Sequence, residues 1–236
     1  MMALVAVSFG CGGCQGGAAD AEQPKAEVFV LVDLSETWHS PATARRNERL
    51  LAEVGEGIAA QAGAMEPPIA VQHRVIGQGS LGREPICDAV YSPSMIAILR
   101  KQADYMVTKL SKLKRYLGVD CPALIVRQPP EPLTEISAAL ASVAETPAGP
   151  RVRRYIIILS DFREETVGAP APTPDLSRFK ILLVYRPLSD DQKAPADLEN
   201  RVESWRDKLA KRNARVTTAP DTALKRTTIA AFVARR

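Results

Sequence analysis

The chain has 236 residues, 46% hydrophobic and 5% aromatic, with a formal net charge of +4. That length buries one sizeable core and favours one domain over two, and an aliphatic-rich composition suits an α/β interior. So small a charge excludes a nucleic-acid partner unless the basic residues gather on one face.

Met1 to Gly10 is uncharged and mostly apolar, Cys11-Gly12-Gly13-Cys14 follows, and a small and polar tract runs from Gln15 to Ala26. A bilayer-spanning helix needs about 20 apolar residues, so this run is too short to cross. It fits the apolar part of an export signal followed by a flexible tether. Gly10 before Cys11 resembles the cleavage and lipidation site of bacterial lipoproteins. Ser8 stands where such sites usually carry Leu, and no Lys or Arg precedes the apolar run. The resemblance implies acylation at Cys11, a cell-envelope location and membrane contact only through the lipid anchor. The chain then divides into a partial signal-like segment (1–10), a tether (11–26) and one folded domain (27–236). A frayed N-terminus with incidental cysteines is the alternative.

Glu27 to Val32 is an apolar run ending in Asp33 and reads as a buried strand. Leu50, Leu51, Val54, Ile58 and Ala62 recur at helical spacing and predict a helix over Ala42 to Ala62. Pro67-Pro68 precedes a strand over Ile69 to Ile76, and a Gly-rich turn (77–80) leads to a weaker one around Ile86 to Tyr91. From Pro93 onward, Leu99, Ala103, Met106, Leu110, Leu113 and Leu117 form the apolar face of a long helix, whose Lys and Arg residues read as a solvated face. A Pro-rich loop (128–132) precedes Leu133 to Ile136, and a helix that opens with Thr134 runs to about Glu145. Tyr155 to Ser160 is the strongest strand signal and ends in Asp161, and Lys180 to Tyr185 gives another strand. Leu198, Val202, Trp205 and Leu209 mark a helix with Pro195 in its first turn. A strand near Arg215 to Thr218 and a helix from Asp221 to Val233 close the chain.

Strands that alternate with helices, and are apolar without a period of two, indicate a parallel sheet covered on both faces. The expected fold is a doubly wound, mostly parallel six-stranded α/β sheet. The short turn between the second and third strands makes one edge pair antiparallel. Such sheets bind ligands beyond the carboxyl ends of their strands. Three separated segments deliver oxygens there: Asp33-Leu34-Ser35-Glu36-Thr37, Thr134 and Ser160-Asp161.

Asp33, Ser35 and Thr37 resemble the Asp-x-Ser-x-Ser/Thr signature of the metal-ion-dependent adhesion site of von Willebrand factor type A domains. Thr134, with Ile136 and Ala139-Leu140 after it, resembles the family's threonine segment. Ile156 to Asp161 resembles its apolar strand ending in Thr-Asp-Gly, with Ser160 and Phe162 as the flanking residues here. The resemblance covers Glu27 to the C-terminus and implies a Rossmann-like fold that holds Mg²⁺, with Mn²⁺ or Ca²⁺ as alternatives. Hydroxyls of Ser35, Thr37 and Thr134 would bind the ion directly, and Asp33 and Asp161 would act chiefly through waters or hydrogen bonds. Mg²⁺ prefers six hard oxygens at about 2.0–2.1 Å. An ion left under-neutralised by such a set takes an Asp or Glu carboxylate from a protein partner.

Each residue also has a plainer reading. Asp33 or Ser35 could cap the first helix, Thr134 the next one, and Asp161 could open a turn. Glu36 could tune the ion or be an ordinary exposed carboxylate. A haloacid-dehalogenase-like phosphatase would need a second Asp where Ser35 stands, and a serine hydrolase needs a Gly-x-Ser-x-Gly elbow that is absent. A domain of this fold that binds no metal is the third alternative. His39 and His73 are isolated, so no catalytic role is expected. Cys87 and Cys121 could form a disulfide in an oxidising compartment or remain two separately buried thiols.

Overall fold

A computed structural model describes residues 24–36, 38–63, 68–92, 102–166, 168, 171–186 and 194–234. The expectations on Cys11 and the rest of residues 1–23, and on Thr37, lie outside the described residues. Six strands form one sheet: β1 (Ala26–Asp33), β2 (Ile69–Ile76), β3 (Cys87–Tyr91), β4 (Arg153–Leu159), β5 (Phe179–Tyr185) and β6 (Arg215–Pro220). Their order is β3-β2-β1-β4-β5-β6. β3 runs antiparallel to β2 and every other neighbouring pair is parallel, the doubly wound arrangement expected from the sequence.

The helices are α1 (Ala44–Ala62), α2 (Ala103–Arg115), α3 (Cys121–Ile125), α4 (Ile136–Glu145), α5 (Ala194–Ala210) and α6 (Arg226–Ala234). Val28, Val30 and Val32 of β1 pack with Tyr155, Ile157 and Leu159 of β4 beneath α1, α3 and α6. Phe29, Leu31, Ile156 and Ile158 pack on the opposite face beneath α4 and α5. Successive side chains of a strand point to opposite faces, and here both faces are covered. That is why β1 and β4 read as unbroken apolar runs. Each such side chain contributes roughly 1.5–3 kcal/mol by leaving water.

α1 begins two residues later than its apolar spacing suggests. The Thr43 hydroxyl donates to the carbonyls of Trp38 and Ser40, which holds the preceding residues in turns. Leu50, Leu51, Val54, Ile58 and Ala62 are all buried. Gly55 admits a close helix contact, because a Cβ there would lie 2.0 Å from the Leu117 carbonyl oxygen.

The predicted long helix departs more from its periodicity. Residues 93–101 lie outside the described residues, and α2 starts at Ala103. Leu113 and Leu117 are buried, but Met106 and Leu110 are only half-covered and Val107 is 62% exposed. After Arg115 the backbone widens into a π-helical turn over Tyr116–Asp120 and then continues as α3. Pro122 has no N–H to give the next α-helical bond, while the Cys121 N–H reaches back to the Tyr116 carbonyl. Leu117, Cys121 and Ile125 thereby all enter the core.

The expected single helix from Asp221 to Val233 is split into a 3₁₀ turn (Asp221–Ala223), an extended Leu224 and α6. The buried Asp221 carboxylate is held by Arg46 at 2.7 Å and Arg186 at 3.0 Å, which ties this turn to α1 and to the end of β5. Among the described residues no helix is long and apolar enough to cross a membrane.

Candidate metal centre

β2 and β3 lie to one side of β1, and β4, β5 and β6 to the other. Helix α1 carries the chain from β1 to β2 on one side, whereas β4 leads to β5 on the other. The loops leaving β1 and β4 therefore diverge and open a crevice at the switch point, where open α/β sheets bind ligands. Asp33 ends β1 at this crevice and Ser160-Asp161 follows β4 there.

Asp33 is fully buried. One carboxylate oxygen accepts the Ser35 N–H at 2.8 Å and lies 3.4 Å from the Thr134 hydroxyl. The other accepts the Ser160 hydroxyl at 2.6 Å. Ser160 also accepts the Phe162 N–H at 2.8 Å, so its rotamer is fixed from both sides. Burial pushes the Asp33 carboxyl up to about 6; the Ser160 and Ser35 hydrogen bonds act against burial, and the nearby Asp161 charge adds to it. Among the described residues, no cationic side chain compensates a charged Asp33.

Two chain crossings bring the remaining segments in. Ser35 bridges to Glu131 and Thr134 to Glu165. The Glu131 N–H donates to the Leu34 carbonyl at 2.8 Å, and the Glu165 N–H to the Thr134 carbonyl at 2.9 Å. The resulting pocket has a volume of about 310 Å³ and is lined by Ser35, Glu36, Glu131, Thr134, Asp161 and Glu165, with Arg163 and Pro132. Among the described residues, no three His, Cys, Asp or Glu side chains gather as a ligand group. A cation here would depend on hydroxyl oxygens together with the two aspartates, the hard donor set that Mg²⁺ prefers.

The capping alternatives separate cleanly. Thr43 occupies the N-cap of α1, ten residues after Asp33, and Glu135 that of α4, so neither Asp33, Ser35 nor Thr134 caps a helix. The α4 start is instead served by Glu164, which accepts the Ser137 N–H at 2.7 Å. Asp161 does open a turn: its carboxylate accepts the Arg163 N–H at 3.0 Å while lining the pocket.

Phe162 stands where a glycine would be the easy choice, and its φ is +60°. A left-handed residue with a Cβ costs about 1–2 kcal/mol. Two contacts offset this: the ring is buried, and the Phe162 carbonyl accepts the Trp205 indole N–H at 3.2 Å.

Arg186, just beyond β5, escapes any motif. It is buried, stacks 4.3 Å from the Trp38 ring and pairs with Asp221 and Asn47. The Trp38 carbonyl receives donors from Thr43, Asn47 and Arg186. This network pins the loop that carries Ser35 and Glu36. Long-range ion pairs of this kind leave no local spacing to read.

Cys87 and Cys121 form a disulfide that ties β3 to α3, with Cα atoms 6.0 Å apart. His73 pairs with Cys87 in the sheet, and neither ring nitrogen has a partner among the described residues. Burial holds the His73 imidazole down at about 4. His39 Nε2 lies 3.1 Å from the Gln128 carbonyl, a structural contact.

No known family pattern and no curated protein matches the chain. Solved structures do resemble it. Proximal thread matrix protein 1 from the mussel byssus, solved with a zinc-occupied MIDAS motif, is 16% identical, with 89% of this chain and 47% of that one covered and a TM-score of 0.44. A von Willebrand factor type A structure from Catenulispora acidiphila is 14% identical over 91% of this chain and 44% of its own, at a TM-score of 0.42. An aerotolerance-related membrane protein from Bacteroides fragilis is 15% identical over 88% and 96%, at a TM-score of 0.40. The chain thus spans about half the length of the first two.

Proposed function

We propose that this chain is a von Willebrand factor type A-like domain of the cell envelope that binds a protein partner through a divalent cation rather than catalysing a reaction. The observation that carries this reading is the buried Asp33 carboxylate at the switch point, held by Ser35 and Ser160, beside Thr134 and Asp161, with no cationic partner among the described residues. Ser35, Thr37 and Thr134 would supply hydroxyl oxygens, and Asp33 and Asp161 the negative charge. Mg²⁺ suits the set best, with Mn²⁺ and Ca²⁺ as alternatives. The ion would supply an electrophilic position that an Asp or Glu of the partner completes. Cys11 acylation would anchor the protein.

The donor set also argues against a phosphatase. Ser35 occupies the place where the general acid would be needed, and it is not an acid. Capture of the same partner from envelope extract in Mg²⁺, its release by EDTA and its absence with Asp33→Ala would support the reading. Equal capture by the variant, or turnover of a phosphate ester, would overturn it.

A further inference from the structure

The end of the sheet opposite this pocket gathers cations. Arg153 opens β4, Arg178 directly precedes β5, Lys180 is the second residue of β5 and Arg215 opens β6. Lys180 pairs in register with Arg215 on one side and Tyr155 on the other. All four basic side chains line one pocket of about 160 Å³. Arg154 lines it too, but its charge is met by the buried Glu27 at 2.8 Å. Arg178 and Arg215 are exposed and Arg153 half-exposed; among the described residues none of the three forms a salt bridge, though Arg178 lies within the field of Glu27 and donates to the Gly149 carbonyl. The opposite pocket is lined by Glu36, Glu131, Asp161 and Glu165, with Arg163 as its one cation among the described residues, and Arg83 meets Glu131 at 2.7 Å. A modest net charge thus conceals a molecule that is cationic at one end and mostly acidic at the other.

The chain's N-terminal side joins the domain at the cationic end. The Lys25 carbonyl accepts the Arg153 N–H at 3.0 Å, so the segment containing Cys11 is attached beside these arginines. We infer that this end docks on an anionic phospholipid surface and turns the Asp33–Asp161 pocket away from the bilayer. The choice of a membrane as the anionic surface rests on the envelope reading above; the charge separation does not. Attraction of this kind acts within about a Debye length and weakens with salt.

The test uses the full chain carrying Cys11→Ser, so that no acyl group contributes. Its readout is the excess binding to phosphatidylglycerol-containing vesicles over pure phosphatidylcholine vesicles, which subtracts any pull from the apolar N-terminal residues. The expected result is a clear excess that falls with salt. It should drop about 25-fold in Arg153→Gln/Arg215→Gln, at about fivefold per cation. That double variant should keep the Mg²⁺-induced rise in melting temperature of its parent. Equal binding to both vesicle types, or no loss in the double variant, would overturn the inference. So would displacement by inorganic phosphate at constant ionic strength, which marks a small-anion pocket, or preference for an oligonucleotide over the vesicles. If vesicle discrimination persists while neither protein responds to Mg²⁺, the metal reading fails and the docking surface stands.

Discussion

Two buried titratable side chains give this protein opposed responses to pH. The His73 imidazole is held down at about 4, so as pH falls from about 6.5 the unfolded chain takes up a proton that the folded one refuses. Stability is present above that window and is lost towards about pH 4, by up to about 3 kcal/mol. Asp33 has the opposite sign. Its carboxyl is raised to about 6, so without metal the folded chain holds a proton longer, and stability falls as pH rises from about 4 to about 6. In EDTA the two slopes should largely cancel. Denaturant melts of His73→Leu across pH 4–6.5 should expose the falling slope, and Asp33→Asn the rising one; unchanged profiles in both would contradict the burial argument. At pH 7 Asp33→Asn should also be more stable than the parent in EDTA, since it removes an uncompensated buried charge. It should nevertheless lose the rise in melting temperature that Mg²⁺ or Mn²⁺ gives the parent.

At the scale of elements, the fold depends on backbone approaches that a residue pattern does not announce. Gly55 lets α1 meet the Leu117 carbonyl, so Gly55→Ala must push the two apart, at a cost of about 1–3 kcal/mol by calorimetry. A melting temperature equal to that of the parent would refute the contact. The Cys87–Cys121 bridge closes a loop with a sequence separation of 34, which corresponds to about 4 kcal/mol in the chain-entropy model. Reduction should therefore lower stability. It should also weaken metal binding, because the bridge braces the chain that leads through Gln128 to Thr134. Non-reducing peptide mapping of exported material should recover the two peptides linked, and free thiols at both positions would rule the bridge out.

The sheet was legible in the sequence because both faces of its strands are buried, so apolar runs such as Ile156 to Leu159 carried the signal. β2 even has the expected ends. The α5 start was legible from Pro195, but those of α1 and α4 were not, since Thr43 and Glu164 set them through contacts outside the helical spacing. The π turn before Pro122 was hidden because it changes the number of residues per turn midway through a regular apolar series. The Asp33, Ser35, Thr134 and Asp161 positions could be read from short motifs; Ser35, Thr134 and Asp161 line one pocket, and Asp33 hydrogen-bonds to the first two from beneath it. Ser160 stands in the sequence at the strand end with no assigned role, yet its hydroxyl donates to Asp33 at 2.6 Å. Arg186 and Asp221 are 35 residues apart, and their pairing could not be read locally.

For the whole molecule, the two ends of one sheet differ in charge. The acidic end holds the candidate metal pocket, and the cationic end receives the N-terminal segment. Mass spectrometry of protein expressed from its native reading frame should find an acyl group on Cys11, whereas an unmodified cytoplasmic chain beginning at Met1 would refute the anchor. The central claim is that Asp33, Ser35, Thr134 and Asp161 hold one divalent ion. Calorimetric titration of Mn²⁺ into the metal-free chain tests it most directly. The account predicts one ion bound per chain, no binding to Asp33→Ala, and full binding to Asp88→Ala, whose carboxylate lies on the exposed edge strand β3. An equal isotherm for Asp33→Ala, or none for the parent chain, would contradict it.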